Sequence, residues 1–232
     1  MNSLAEFQNS LLELQKELAE YCQKYGRDPE SISILPVIKR QPLEAVEYAQ
    51  GAGFRAVGEN LVQEGKRKAA EYSGTIQWEL IGHLQSNKAK VAVETFERIQ
   101  TVESGKLVRR LDRYSAEIGK TQKILLQINT AADPAKHGAQ PEQAAELVEL
   151  ALDCPNLLLE GFMTIGRLSD DPSEAEQAFS DLRELRDKLE GEFGHSFPEL
   201  SMGMSGDIEM AIKSGSTLVR VGTRLFGQRP AV

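Results

Sequence analysis

The sequence has only two cysteines, and their positions argue against the sites that cysteine most often builds. Cys22 and Cys154 lie far apart in the chain, and neither has a partner at metal-ligand spacing. A structural zinc site or a disulfide framework needs several cysteines at short, regular intervals. We therefore expect two reduced, buried thiols in a cytosolic protein.

Positive charge and long apolar runs are also scarce. The chain has 35 acidic and 27 basic side chains, a formal net charge of −8, so no basic patch for nucleic acid stands out. The first ten residues, MNSLAEFQNS, lack the basic and apolar regions of a signal peptide. No apolar run approaches the roughly 20 residues that a membrane helix needs. We expect a soluble cytoplasmic protein without a nucleic-acid or membrane partner.

Short apolar segments alternate with helical patterns along the chain. After an amphipathic helix from about Leu4 to Tyr25, ended by Gly26, the pattern predicts eight strands. The predicted strands are 33–39, 55–59, 77–82, 98–102, 123–129, 157–163, 199–204 and 217–222. Because helix-capable segments separate them, the strands should be parallel. Their number favours one α/β domain over residues 1–232, a (β/α)₈ TIM barrel with an additional N-terminal helix. An open doubly wound sheet is the alternative.

Polar side chains follow the predicted strands at their carboxyl ends, where barrels of this class carry their chemistry. These residues are Lys39 after the first strand, Glu59 and Asn60 after the second, His83, Gln85 and Asn87 after the third, and Asn129 after the fifth. We expect them to surround the mouth of the barrel. Whether His83 enters a ligand pocket is left open by the sequence.

The turns after the last two strands predict a phosphate site. Ser205, Gly206 and Asp207 form a strand-to-helix turn with free backbone N–H groups, and Gly222 with Thr223 forms the neighbouring turn. The loops after strands 7 and 8 are a frequent phosphate site in this barrel class. Each turn alone is equally compatible with an ordinary N-cap or a turn glycine. The two together favour phosphate.

Lys39 ends the first predicted strand. A lysine at such a place ordinarily extends into solvent, but a partly desolvated amine at a barrel mouth is a nucleophile toward an aldehyde. A reactive lysine beside a phosphate site favours an aldehyde that carries a phosphate, of which pyridoxal 5′-phosphate (PLP) is the obvious case.

Arg220 interrupts the apolar segment STLVRVGT, and a buried guanidinium needs a partner. Strand alternation allows its side chain to point into the barrel mouth. There it could donate a hydrogen bond to the pyridine nitrogen of PLP. The alternative is a structural ion pair with Glu59 or Asp207.

Five segments resemble the pyridoxal phosphate homeostasis protein family (YggS/PROSC type). They are GENLVQEG (58–65), IGHLQSNK (81–88), KHG (136–138), GFMTI (161–165) and LSMGMSGDIEMAIKSGSTLVRVGTRLFGQR (200–229). The resemblance implies a (β/α)₈ barrel related to the N-terminal domain of alanine racemase, with PLP held as an internal aldimine. It assigns the Schiff base to Lys39, ring contact to Arg220, phosphate contact to Ser205, Gly222 and Thr223, and pocket lining to Asn60 and Met202.

The chain departs from this family pattern at several positions. Ile38 and Arg40 flank Lys39 where the family commonly has serine and threonine, Glu79 replaces a histidine, and Gly166-Arg167 stands where a proline is usual. We expect these changes to cluster near the barrel mouth. They are compatible with lineage drift or with a site altered for another ligand.

Three functions fit a lysine and a phosphate site at one mouth. The first is a PLP carrier or buffer in vitamin B6 homeostasis, a monomer without robust catalysis that supplies PLP-dependent apoenzymes. The second is a weak PLP-dependent amino-acid racemase, and the third is an aldolase-like barrel, which leaves Arg220 less well explained. Only RLFGQRPAV follows the last strand, so we expect no counterpart of the alanine racemase domain that supplies a tyrosine base. A one-sided site should racemise poorly, which favours the carrier.

Overall fold

Eight parallel strands alternate with helices in the computed structural model, which describes residues 1–131, 133, 136–166 and 171–228. The strands are β1 (Ser33–Pro36), β2 (Ala56–Glu59), β3 (Gln77–Leu80), β4 (Arg98–Val102), β5 (Gln122–Gln127), β6 (Leu157–Met163), β7 (Glu199–Met204) and β8 (Leu218–Val221). The helices are α1 (Leu4–Tyr25), α2 (Glu44–Gly51), α3 (Val62–Glu71), α4 (Ala89–Thr95), α5 (Gly105–Ile118), α6 (Ala144–Leu152), α7 (Pro172–Phe193), α8 (Ile208–Lys213) and α9 (Thr223–Phe226). Every predicted strand is present. Arg167 lies outside the described residues.

The strands close into a barrel at a single narrow contact. The strands pair in the order β1-β8-β7-β6-β5-β4-β3-β2. Between β1 and β2 the ladder consists of one parallel bridge, Val37 with Gly58, and the N–H of Ile38 donates to the carbonyl of Gly58 at 3.0 Å. A Cβ on Gly58 would lie 3.1 Å from side-chain atoms of Leu35 and Ile81, so a larger residue would crowd the closure. The closed barrel is confirmed, and the open sheet is excluded.

Helix α1 covers the side of the barrel next to the very short α9. Ser3 and Glu6 form a capping box at the first turn of α1, and Gly26 ends the helix in the left-handed conformation, at φ 64°. Its buried residues recur at helical spacing, namely Phe7, Leu11, Leu14, Leu18 and Cys22. The ring of Phe7 packs 5.3 Å from Phe226 in α9 and 5.8 Å from Tyr48 in α2. The additional N-terminal helix is therefore an integral part of the outer layer.

An ionic network fills the barrel interior at the amino ends of the strands. Arg98, the first residue of β4, contacts the carboxylates of Glu79 at 2.9 Å, Glu160 at 3.1 Å and Glu199 at 2.8 Å. Burial raises the pKa of Glu79, and the charge of Arg98 acts against this shift. These residues line a cavity of about 750 Å³ at the end opposite to the carboxyl ends of the strands. The expectation that Glu79 lies near the mouth is wrong, because its carboxylate belongs to this lower network.

The structure describes both cysteines of the chain. Cys22 is fully buried and Cys154 is partly exposed, and both are free thiols, so the expectation of burial is wrong for Cys154.

In the described part of the chain, no helix combines the length and the apolar content that crossing a bilayer requires.

The packing of α1 predicts a large effect of truncating Phe7. Phe7→Ala should lower the free energy of unfolding by about 3–5 kcal/mol, because it opens a cavity between three helices. Leu12→Ala, on the same helix but 65% exposed, should change it by less than about 0.5 kcal/mol. Denaturant unfolding of both variants measures the difference. Equal effects would show that α1 does not depend on its buried face.

Candidate functional site

Seven of the eight predicted site residues gather at one half of the barrel mouth. They follow or belong to β2, β1, β8 and β7, which are neighbours around the barrel. Because Pro36 pairs with Val221 and Met204 pairs with Arg220, the ends of these strands lie at similar heights. The gathered residues are Lys39, Asn60, Ser205, Gly206, Arg220, Gly222 and Thr223.

Lys39 lies in a tight turn three residues beyond the end of β1. Its side chain is partly buried, and together with Asn60 it lines a cavity of about 190 Å³. The next residue, Arg40, has a φ of +57°, which a residue with a side chain seldom adopts. The turn therefore needs support from its surroundings to keep this shape.

A buried ammonium group supplies one part of that support. Lys68, only 1% exposed, reaches from α3 beneath the turn, and its Nζ donates to the carbonyl of Ile38 at 2.7 Å. The same Nζ contacts Glu59 Oε1 at 2.6 Å and Glu64 Oε1 at 2.9 Å. Burial raises the pKa of Glu59, while the charge of Lys68 acts in the opposite direction. One cation thus joins β2, α3 and the end of β1.

The same network also holds the residue that follows Lys39. Glu64 Oε1 accepts the backbone N–H of Arg40 at 2.8 Å. Lys39 is therefore flanked by two anchored peptide groups, the carbonyl of Ile38 and the amide of Arg40. Since both anchors use the main chain, the unusual side chains at positions 38 and 40 leave them intact.

Arg220 is 4% exposed, and neutral oxygens hold it in place. Its NH1 donates to the carbonyl and hydroxyl oxygens of Ser201, both at 2.7 Å, and its NH2 donates to the carbonyl of Thr164 at 2.9 Å. Burial lowers its pKa to about 10, and the charge of Asp207 acts against this shift. The guanidinium therefore stays charged at neutral pH.

The alternative of a structural ion pair for Arg220 is not supported. Within residues 1–131, 133, 136–166 and 171–228 no carboxylate lies within ion-pair distance of it. Glu59 pairs with Lys68, and Asp207, whose charge acts on Arg220, accepts the Met204 N–H instead of pairing directly with the guanidinium. No hydrogen bond from Nε of Arg220 reaches a described residue either. The predicted contact with a cofactor ring stays a prediction, and this orientation leaves a donor for it.

The two predicted phosphate turns have unused donors. The backbone N–H groups of Ser205, Gly206, Gly222 and Thr223 donate to no other described residue. A Cβ on Gly206 would meet nothing within 4 Å, so this turn faces open space. The structure thus brings together several N–H groups that an anion could accept.

Asp207 shapes the first of these turns. Its Oδ1 accepts the N–H of Met204 at 2.5 Å, and its own N–H donates to the Met204 carbonyl at 3.0 Å. Burial raises its pKa, and the Met204 N–H and the charge of Arg220 oppose the shift. Asp207 is therefore a turn-forming residue, whereas the hydroxyl of Ser205 makes no capping bond within the described chain.

Met202 is the predicted site residue that the structure does not bring to the mouth. Its side chain is fully buried in the hydrophobic core. The predicted contact of Met202 with a cofactor is untested, and this position does not favour it. Gly166 is another departure from the family pattern. It contacts the loop after β5 through its main chain, because its carbonyl oxygen accepts a hydrogen bond from Lys136 Nζ.

The other half of the mouth carries the polar residues that follow β3 to β5. His83 stacks on His137 and lies beside Glu103, so its side chain faces these groups. Gln85 and Asn87 are exposed on the loop after β3. Asn129 is 5% exposed, and it donates to the loop that carries His137.

Sequence reasoning missed Lys68, although a signal for it exists. Val62, Gly65 and Lys68 recur every three residues and form the buried face of α3. A lysine on such a face needs a carboxylate, and Glu64 lies four residues earlier, where a helix brings the two side chains together. Glu59 could not have been assigned as the second partner, because its position depends on how α3 packs against β2.

Comparison with known proteins assigns this chain to a family. Residues 13–230 match the family described as "Alanine racemase, N-terminal domain". A "Pyridoxal phosphate homeostasis protein" of Vibrio alginolyticus is 38% identical over 232 residues, covering 97% of this chain and 99% of the relative. The protein of the same name from Escherichia coli is 35% identical over 237 residues, covering 99% of this chain and 98% of the relative.

Solved structures support the same assignment. PipY of Synechococcus elongatus, in a structure with PLP bound, has a TM-score of 0.80 at 35% identity, covering 90% of this chain and 100% of PipY. Alanine racemase of Bacillus anthracis has a TM-score of 0.73 at 17% identity, covering 99% of this chain and 57% of the racemase. The second likeness concerns the fold alone.

The ionic network beneath Lys39 predicts that removing the buried cation Lys68 costs far more stability than removing the exposed cation next to it. Lys68→Met should lower the free energy of unfolding by about 3–5 kcal/mol, because it leaves Glu59 buried without its cation. Arg67→Met removes a neighbouring cation that is 61% exposed, and it should cost less than about 1 kcal/mol. Denaturant unfolding measures both.

The Lys68→Met effect should also depend on pH. Without the cation, the pKa of Glu59 in the folded state rises further above its unfolded value. The folded state then loses stability as the pH increases above the ordinary carboxyl range, so the loss should be larger at pH 8 than at pH 5. Replacing Glu59 by Gln in the same chain should remove most of this pH dependence. A loss equal at the two pH values would contradict the proposed pairing.

Proposed function

Because this chain belongs to the pyridoxal phosphate homeostasis protein family, which shares the alanine racemase N-terminal domain, we propose that it binds PLP at its barrel mouth. Its role is to hold PLP in a protected form and to release it again, as a carrier or buffer. The observation that carries this proposal is the gathering of a lysine on an anchored turn, a buried guanidinium and two donor-rich turns at one half of the mouth.

The donor set fits the charges of PLP. Its phosphate is an anion with several acceptor oxygens, and the unused N–H groups of the turns at Ser205-Gly206 and Gly222-Thr223 suit such a group. The hydroxyls of Ser205 and Thr223 would add two further donors. The buried guanidinium of Arg220, which neutral oxygens hold and on which the charge of Asp207 acts, adds a donor for an electron-rich partner beside these turns.

Lys39 would hold PLP covalently. It is the residue that would link to the aldehyde of PLP, because a neutral amine condenses with an aldehyde and releases water. The same link would be reversible in water, which suits a protein that holds the ligand and releases it. The bonds of Ile38 and Arg40 to the Lys68 network keep the Lys39 turn in one conformation, which limits the entropy that binding must lose.

Arg220 makes the site better suited to holding PLP than to using it. PLP supplies an electron sink, and this sink is strongest when a nearby acid keeps the ring nitrogen protonated. Arg220 can donate a hydrogen bond to that nitrogen, but its guanidinium keeps its own proton at neutral pH. Arg220 would therefore not protonate the ring nitrogen, which suits a site that holds PLP.

The racemase alternative requires a second base that faces the lysine across the substrate. In alanine racemase-like chemistry that base is expected to be a tyrosine, but all five tyrosines of this chain lie on or at the end of outer helices. They are Tyr21, Tyr25, Tyr48, Tyr72 and Tyr114. We therefore favour the carrier, with PLP-dependent apoenzymes as recipients.

The covalent link can be tested on the purified chain. With PLP the protein should develop a visible absorption band, which borohydride removes, and mass spectrometry should then find the reduced adduct on Lys39. Lys39→Ala should abolish the adduct, while Lys136→Ala, which changes another lysine of the mouth loops, should retain it. An adduct on Lys136, or no uptake of PLP, would refute the proposal.

The phosphate turns can be tested by comparing two ligands. Ser205→Ala and Thr223→Val should each weaken PLP binding by about 1–3 kcal/mol, since each removes a hydrogen bond to a charged group. Binding of pyridoxal, which lacks the phosphate, should change little. Thr75→Val, on an exposed threonine at the opposite end of the barrel, serves as the control. Equal losses for both ligands would mean that the phosphate lies elsewhere.

A further inference from the structure

Three potential metal ligands converge at the half of the mouth that the proposed PLP site does not use. His83 follows β3, Glu103 follows β4, and His137 lies in the loop after β5. One ligand atom from each lies within 4.8 Å of the other two. Glu103 Oε1 lies 3.2 Å from Nδ1 of His83 and 3.7 Å from Nδ1 of His137, and the two rings stack at 3.8 Å.

Main-chain contacts hold all three residues in place. The hydroxyl of Thr101 donates to the carbonyl of Gly82 at 2.8 Å, just before His83. The amide of Gln127 donates to the carbonyl of His137 at 2.9 Å. The N–H of Gly138 donates to Glu103 Oε2 at 2.8 Å, which directs the other carboxylate oxygen toward the two imidazoles. Such secondary bonds are what orient ligands at metal sites.

The spacing suits a small divalent ion after a minor movement of the rings. Ligand atoms about 2.0–2.1 Å from zinc in a tetrahedral site lie about 3.3 Å apart. The distances from Glu103 Oε1 to Nδ1 of His83, 3.2 Å, and to Nδ1 of His137, 3.7 Å, lie on either side of that value. The side chains of His83 and His137 are 36% and 58% exposed, so both rings can rotate to bring their nitrogens onto one ion.

We propose that His83, Glu103 and His137 form a binding site for a divalent first-row transition metal, with Zn²⁺ as the reference ion. Two imidazole nitrogens and one carboxylate oxygen favour Zn²⁺, Co²⁺, Ni²⁺ or Cu²⁺ over Mg²⁺ and Ca²⁺, which prefer oxygen ligands. Water would complete the coordination, since both rings are exposed. The site is built from β3, β4 and β5 and does not depend on the proposed function.

The chain offers a well-matched control, because it has three histidines and only His195 lies outside the cluster. His195 is exposed, and it lies between α7 and β7, at the opposite end of the barrel. The untagged chain should be titrated with Zn²⁺ by calorimetry and with Co²⁺ by visible absorption. We expect one ion per chain. His83→Ala, His137→Ala and Glu103→Gln should each weaken binding by about tenfold or more, and His195→Ala should bind like the wild type.

Two further measurements separate this site from other sources of metal binding. Saturating Zn²⁺ should raise the thermal midpoint of the wild type and of Lys39→Ala, but not that of His83→Ala. Binding lost in Lys39→Ala would assign the ion to bound PLP and overturn the proposal. Unchanged affinity in His83→Ala and His137→Ala, or equally tight binding of Mg²⁺, would also overturn it.

Discussion

The carboxyl end of this barrel depends on the buried ammonium group of Lys68. The barrel closes between β1 and β2 through a single bridge, so the ladder alone gives that seam little strength. Lys68 adds a charged contact across it, from Glu59 at the end of β2 to the carbonyl of Ile38 beyond β1. Such a contact is stable only while the cation and its carboxylate are both present, because either alone would be a buried charge without a partner. The shape of the Lys39 turn thus depends on an ion pair beneath it.

The mouth is divided into two halves with different chemistry. The half formed by β2, β1, β8 and β7 offers an amine, a guanidinium and backbone N–H groups that no described residue accepts, all of which suit an anionic ligand. The half formed by β3, β4 and β5 offers imidazole nitrogens and a carboxylate, which suit a cation. A parallel barrel makes this division possible, because each strand delivers its following loop to the same end but to a different sector.

The opposite end of the barrel serves stability. Arg98 is shared among three carboxylates from β3, β6 and β7, and Gln100 adds a hydrogen bond to Glu79 at 2.6 Å. Glu79, a departure from the family pattern, therefore pairs with Arg98 at this end of the barrel. Three other positions that depart from the family pattern, Ile38, Arg40 and Gly166, lie at the mouth. There the main-chain groups of these residues make the hydrogen bonds that hold the loops.

The sequence by itself determined the order of the elements, because hydrophobic periodicity, glycine caps and strand spacing are local properties. It also placed Lys39, Arg220 and the two turns of the mouth correctly, since a parallel barrel sends the carboxyl end of every strand to one edge. Only the tertiary structure decided the partners of buried charges. Glu59 with Lys68, Glu79 with Arg98, and the approach of His137 to Glu103 all join separate elements. Their distances depend on packing and register, which no local pattern contains.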